Sequence, residues 1–122
     1  MIKLEKSECH CPCMEPCPIQ HALSLLGGKW KMPIWCALSK DGPTRYNDLK
    51  RKIGGITNTM LASSLREMEE AGLVVRRQYE EMPVRVEYSL TEKSAMLRPA
   101  IEIMGRWGRE LVRQEQEKED GE

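Results

Sequence analysis

Cysteine is the residue whose spacing first invites chemistry. Cys9, Cys11, Cys13 and Cys17 fall within the first seventeen residues, with His10, Pro12 and Pro16 among them, and Cys36 stands apart. Alternate residues of an extended segment point the same way, so Cys9, Cys11 and Cys13 can converge on one ion. With Cys17 four residues on, that donor set suits zinc or copper(I). The spacing is not the paired CxxC…CxxC of a zinc ribbon, and the same thiols also read as redox groups or as an arm without function. All three readings stay open. Cys17 directly precedes the first helix, where unpaired N–H groups and the helix dipole favour a thiolate. Cys36, inside a helical stretch, reads as a small core residue. Enzymatic groupings are missing. Gly27-Gly28-Lys29 imitates a phosphate loop, but no GxxxxGK[ST] occurs and Trp30 stands in the hydroxyl position. The histidines are His10 and His21, with no HExxH, no Ser/His/Asp set and no CxxC, so the chain is not expected to be an enzyme.

Positively charged side chains are the second candidate. The 122 residues carry 19 basic and 19 acidic groups, which on its face argues against a polyanionic partner. The sum hides a segregation. Residues 1–17 hold 2 basic and 3 acidic groups, and residues 110–122 hold 2 and 6, leaving 15 basic against 10 acidic between them. A basic body with acidic ends reopens the case for nucleic acid. The length is that of one domain. No apolar run approaches the roughly 20 residues that span a bilayer. Met1–Glu8 lacks the apolar stretch of a signal peptide, so a cytoplasmic location away from membranes is expected.

The elements that must position these groups follow from periodicity and punctuation. Prolines within residues 1–17 oppose helix and sheet, predicting a flexible cysteine-rich arm. Pro18 opens a helix carrying Ile19, Leu23 and Leu26, stopped by Gly27-Gly28. A second helix, from about Lys29 to Ser39, places Trp30, Ile34 and Leu38 on one side, and Gly42-Pro43 ends it. A short helix over Tyr46–Ile53 buries Leu49 and Ile53. Thr57 caps a fourth that reaches Glu70 and turns Leu61, Leu65 and Met68 inward. Val74–Tyr79 and Val84–Leu90 form a hairpin whose second strand alternates, with Val84, Val86, Tyr88 and Leu90 on the buried face. Thr91 caps a last helical region, restarted at Pro99. Residues 18–112 then make the folded unit, and the acidic residues 113–122 read as a disordered tail.

Two short helices joined by a tight turn and followed by a hairpin predict a mostly α, α+β winged helix-turn-helix. In that arrangement the helix from Thr57 to Glu70 enters a major groove and the hairpin tip reaches along the backbone or into the minor groove. Its outward surface is Asn58, Thr59, Ala62, Ser63 and Arg66. Asn pairs bidentately with adenine and Arg with guanine, while Thr, Ser and Ala offer smaller contacts. Thr57, at the positive end of the helix, suits a phosphate. Arg45, the run Lys50-Arg51-Lys52, and Arg76, Arg77 and Arg85 on the hairpin flank this unit and supply sequence-independent affinity.

These residues resemble the HxlR family of winged-helix transcriptional regulators, a branch close to the MarR type. The likeness covers about residues 17–109. It runs through Cys17-Pro18, Gly27-Gly28-Lys29-Trp30, Gly42-Pro43 and Arg45-Tyr46-Asn47-Asp48-Leu49. Gly55-Ile56-Thr57, Leu65-Arg66-Glu67-Met68-Glu69, Gly72-Leu73-Val74 and Pro83–Thr91 follow, then Trp107-Gly108. Phe is usual in the family where Tyr46 stands. The resemblance implies a homodimer on a palindromic promoter site, joined through terminal helices. The apolar Ile101, Ile103, Met104, Trp107 and Leu111 fit that role, with Leu23, Leu26 and Met32 adding to the supply. Redox sensors of the family resemble one another in a reactive cysteine just ahead of proline, the position of Cys17. An oxidant or electrophile acting there, through a disulfide across the dimer, is the expected signal. A metal-responsive arm and a winged-helix protein-interaction module are the alternatives.

Overall fold

The computed structural model describes residues 17–121. Cys9, Cys11 and Cys13, and with them the metal reading of the arm, lie outside the described residues. Helix α1 spans Pro18–Leu26, with Cys17 at its N-cap and Pro18 in its first turn, where a missing N–H breaks no helical bond. Helix α2 is Lys31–Asp41, two residues later than periodicity places it. Strand β1, Thr44–Arg45, and helix α3, Tyr46–Lys52, follow. Helix α4 is Asn58–Glu70, and its Met60 amide donates to Thr57 Oγ1 at 3.1 Å, the expected cap. Strands β2, Val74–Tyr79, and β3, Arg85–Leu90, make the hairpin. Thr91 caps the short helix α5, Glu92–Ala95, and the chain restarts with Pro99 in the first turn of α6, Arg98–Asp120.

Helix α4 ends at a glycine for a stereochemical reason. Gly72 takes φ +79°, a left-handed conformation that a side chain would oppose. That bend lets the Leu73 amide reach back to the Met68 carbonyl at 2.8 Å and the Gly72 amide to the Glu69 carbonyl at 3.1 Å. The two bonds satisfy the last carbonyls of the helix and aim the chain directly into β2.

The sheet is antiparallel in the order β1-β3-β2, with Arg45 and Arg77 both in register with Glu87 of the central strand. Two-residue β1 is too short to leave a period in the sequence. The predicted alternation in the second hairpin strand is not what the fold shows. Val84 lies outside the strand and is exposed, while all six residues of β3 are half-buried. A central strand has neighbours on both edges, and here Arg85 and Glu87 are covered on the outer face by each other and by Tyr79 and Glu81.

The core forms where α2, α3, α4 and β2 meet: Ile34, Trp35 and Leu38, then Leu49, then Leu61, Leu65 and Met68, then Val74. Each such side chain contributes about 1.5–3 kcal/mol by leaving water. Trp35 widens the apolar side of α2 beyond the stripe that the sequence indicates. Cys36 is not a core residue. It sits roughly 200° around the helix from Ile34 and is exposed, on the rim of an apolar groove of about 450 Å³. Leu23, Leu26, Met32, Ile101 and Met104 line that groove. The acidic end is corrected as well. Helix α6 runs on to Asp120, and Arg113 supports it there by pairing with Glu110 and Glu117 one turn to either side.

Candidate nucleic-acid interface

Helix α4 presents two chemically opposite sides. Leu61, Leu65 and Met68 are buried, and that fixes the rotation of everything else on the helix. Asn58, Thr59, Ala62 and Arg66 are exposed and Ser63 is half-buried, all within about 140° of arc. The predicted reading residues therefore share one surface, at the N-terminal half of the helix. Thr57 is exposed just ahead of them, its hydroxyl already accepting the Met60 amide.

Helix α3 braces that surface. The Tyr46 hydroxyl donates to the Asn58 carbonyl at 3.1 Å and lies 3.5 Å from Asn58 Oδ1. Sequence reasoning missed this contact, although the departure from Phe at Tyr46 was the signal for it. Across the helix from Asn58, Lys31 Nζ pairs with Glu67 at 2.8 Å, tying α2 to α4. The Lys31 ammonium, by its hydrogen bond first and its charge second, holds the Glu67 carboxyl below its ordinary range.

The basic residues divide into engaged and available. Lys52 donates to Asp41 at 2.7 Å, which lowers that carboxyl's pKa, and Arg51 pairs with Asp48. Two members of the run Lys50-Arg51-Lys52 thus have acidic partners inside the fold. Arg45, Lys50, Arg66 and Arg77 make no ion pair among the described residues, and Arg76 reaches only Gln78 at 3.5 Å. Arg45, Arg76 and Arg77 are exposed. Successive residues of β2 alternate, so Arg77 shares the outer face of the sheet with Arg45 and Glu87, while Arg76 lies on the face that packs toward the helices. Arg85 is different from all of these. Its Nη2 pairs with Glu81 at 2.8 Å, its Nη1 with Glu87 at 3.0 Å, and its guanidinium stacks 3.9 Å over the Tyr79 ring.

Cys17 is 5% exposed at the N-cap of α1, with its carbonyl accepting the His21 amide at 2.9 Å. Apart from these groups lies a long apolar surface. Helix α6 exposes Ile103, Met104, Trp107 and Val112, and α1 exposes Ile19 and Leu23. No helix among the described residues is long and apolar enough to cross a membrane.

Comparison with known proteins matches this geometry. A family model described as HxlR-like helix-turn-helix fits residues 25–116. An uncharacterized HTH-type transcriptional regulator of Halalkalibacterium halodurans is 50% identical over 91 residues, 75% of this chain and 80% of the relative. Among solved structures, the oxidized form of the redox regulator HypR matches with a TM-score of 0.70 at 40% identity, covering 77% of this chain and 96% of that one. The reduced form of the transcriptional regulator YodB from Bacillus subtilis matches at 0.69 and 39% identity, covering 75% and 89%.

Proposed function

The chain belongs to the HxlR-like helix-turn-helix family and is a transcriptional regulator of that type; from this premise we propose that it works as a homodimer on a palindromic duplex site in the cytoplasm. The observation that carries the reading is the small polar and basic surface of α4, set opposite a fully buried side and next to a two-stranded wing. Asn58 and Arg66 read base edges in the major groove, with Thr59 and Ser63 in smaller contacts. Thr57, Arg45, Arg76 and Arg77 hold phosphates. Binding should show a steep negative slope of log affinity against log salt. Arg66→Ala should lose of order 1–3 kcal/mol and relax discrimination at one base, whereas an equal loss on every sequence makes Arg66 a phosphate contact.

The second copy is supported by the apolar surface of α6 and α1, which is broad for so small a body. Trp107 is 66% exposed and Leu23 50%. Covering such side chains by a partner is the ordinary way to keep them from water. Two recognition helices then sit about 34 Å apart on the duplex. Sedimentation as a monomer at micromolar concentration removes this part of the reading.

An oxidant or electrophile acting on Cys17 is the proposed signal. It is supported by the position of Cys17 at the start of α1 and by the likeness to HypR, a redox regulator. Because Cys17 is buried, reaction requires the start of α1 to open, which links the chemistry to a change of shape. A Cys17→Ser chain that still loses DNA under oxidant, as the parent does, defeats the proposal.

A further inference from the structure

Arg85 lies beside the tip of the wing, where an arginine facing DNA would be expected to hold a phosphate. Its surroundings say otherwise. Both terminal nitrogens are committed to carboxylates, Nη2 to Glu81 in the turn and Nη1 to Glu87 on its own strand. The guanidinium plane covers the ring of Tyr79, which is its register partner on β2. The remaining nitrogen, Nε, is shielded from water and bonds to no partner among the described residues. The side chain is only 27% exposed. No other arginine of the wing is held in this way, since Arg76 and Arg77 are exposed and free of ion pairs among the described residues.

We infer that Arg85 is a positioning residue of the wing and not a phosphate contact. It clips the turn to the strand pair. Glu81 comes from the turn, where its amide donates to the Tyr79 carbonyl at 2.9 Å, and Glu87 and Tyr79 come from the two strands. Drawing Glu81 back onto Arg85 also neutralises one of the two adjacent acids, Glu80 and Glu81, at the tip that must approach a polyanion. Arg76 and Arg77 are thereby left as the wing's phosphate-binding charges. The inference rests on the DNA-binding reading above.

The two roles of Arg85 predict opposite signs for one substitution. If Glu81 restrains an arginine that would otherwise hold phosphate, Glu81→Gln frees it, tightens binding and steepens the salt slope by about 0.9, the increment of one phosphate contact. If Arg85 positions the wing, Glu81→Gln loosens the turn and binds more weakly than a variant that loses the same charge without the clip. Glu80→Gln is the control. It removes the same charge from the tip, and Glu80 makes no ion pair among the described residues. The full chain is titrated with a mixed-sequence duplex over a range of salt, and amide exchange is followed in parallel. The expected result is that Glu81→Gln binds more weakly than Glu80→Gln, by up to about fivefold, the range of one exposed ion pair. Arg85→Met, which keeps an apolar stem over Tyr79, should weaken binding without flattening the slope by that 0.9. Both should speed exchange of the Glu81 amide. Binding by Glu81→Gln as tight as or tighter than by Glu80→Gln, a slope lost in Arg85→Met, or unchanged Glu81 exchange overturns the inference while DNA binding stands. A parent chain that shows no salt-dependent binding overturns the DNA reading and this inference together.

Discussion

The indole Nε1 of Trp35 donates to Ser94 Oγ at 2.8 Å, a buried bond between residues 59 apart in sequence. It closes a relay of polar contacts. The Ser94 amide donates to Thr91 Oγ1 at 3.1 Å, and Thr91 Oγ1 donates to the Gly72 carbonyl at 2.7 Å. The end of the reading helix, the end of the wing and the middle of α2 are thus joined through one corner. Ser94→Ala leaves the buried indole N–H without an acceptor, at a cost of about 1–3 kcal/mol. Urea denaturation should show a lower midpoint with an unchanged m value. An unchanged midpoint shows the bond to be dispensable.

Tyr46→Phe tests the brace between the two helices of the helix-turn-helix. The ring stays, and Phe is the residue that the family usually carries here, so the fold should survive with a loss of roughly 0.5–1.5 kcal/mol for one hydrogen bond. The effect on recognition should be specific to the start of α4. Selection from random duplexes should show Tyr46→Phe losing preference at the same base pairs as Asn58→Ala, with affinity for mixed-sequence DNA unchanged. Preferences identical to those of the parent chain rule out any orienting role for the hydroxyl.

How much of this was legible in the sequence depends on the kind of contact. The boundaries of α4 and the inward set Leu61, Leu65 and Met68 came from periodicity and one capping threonine, because a helix of 13 residues repeats its pattern often enough to be read. Thr44–Arg45 could not be read, because two residues have no period, and their pairing with Tyr88 and Glu87 is set only by the folded chain. Cys36 misled because it was read by its type, small and apolar, although the stripe of Ile34 and Leu38 already puts position 36 on the far side of α2. The pairing of Arg85 was hidden for a different reason. Its type and place fit a phosphate contact, but the carboxylates that occupy it lie two and four residues away along a turn whose shape no motif records.

Cys36 gives a prediction with a definite sign. Partial desolvation at the rim of the apolar groove raises its thiol pKa above the ordinary range. At neutral pH the thiolate fraction is therefore smaller than in an unstructured peptide, and an uncharged alkylating reagent should label the folded chain more slowly than the urea-unfolded one. The labelling rate should go on rising with pH beyond the ordinary thiol value of about 8.5. Linkage has the same direction. The folded state holds the proton more tightly, so this contribution to stability is complete below the unfolded pKa and is lost as pH rises through the folded one. Equal rates in the folded and unfolded chains, measured by mass spectrometry on Cys17→Ser protein, contradict the partial desolvation of this thiol.

Glu67 titrates in the opposite sense. The hydrogen bond from Lys31, and then its charge, lowers the Glu67 pKa in the folded chain. A carboxylate with a depressed folded pKa contributes stability above its unfolded pKa and loses that contribution as pH falls through the folded value. The relevant window therefore lies below about pH 4.3, the ordinary value for Glu. Because Glu67 is exposed, salt should weaken the effect. Lys31→Met removes the two largest causes at once and leaves only the charge of Arg66 to lower the pKa, so the Glu67 carboxyl resonance should titrate at higher pH in that variant. Its acid-unfolding midpoint should also move toward neutral. The tie lies on the side of α4 opposite Asn58, so the same variant at neutral pH should keep the parent's base preference where Asn58 reads. A changed preference would show that the Lys31–Glu67 pair sets the angle of the reading helix as well as its acid stability.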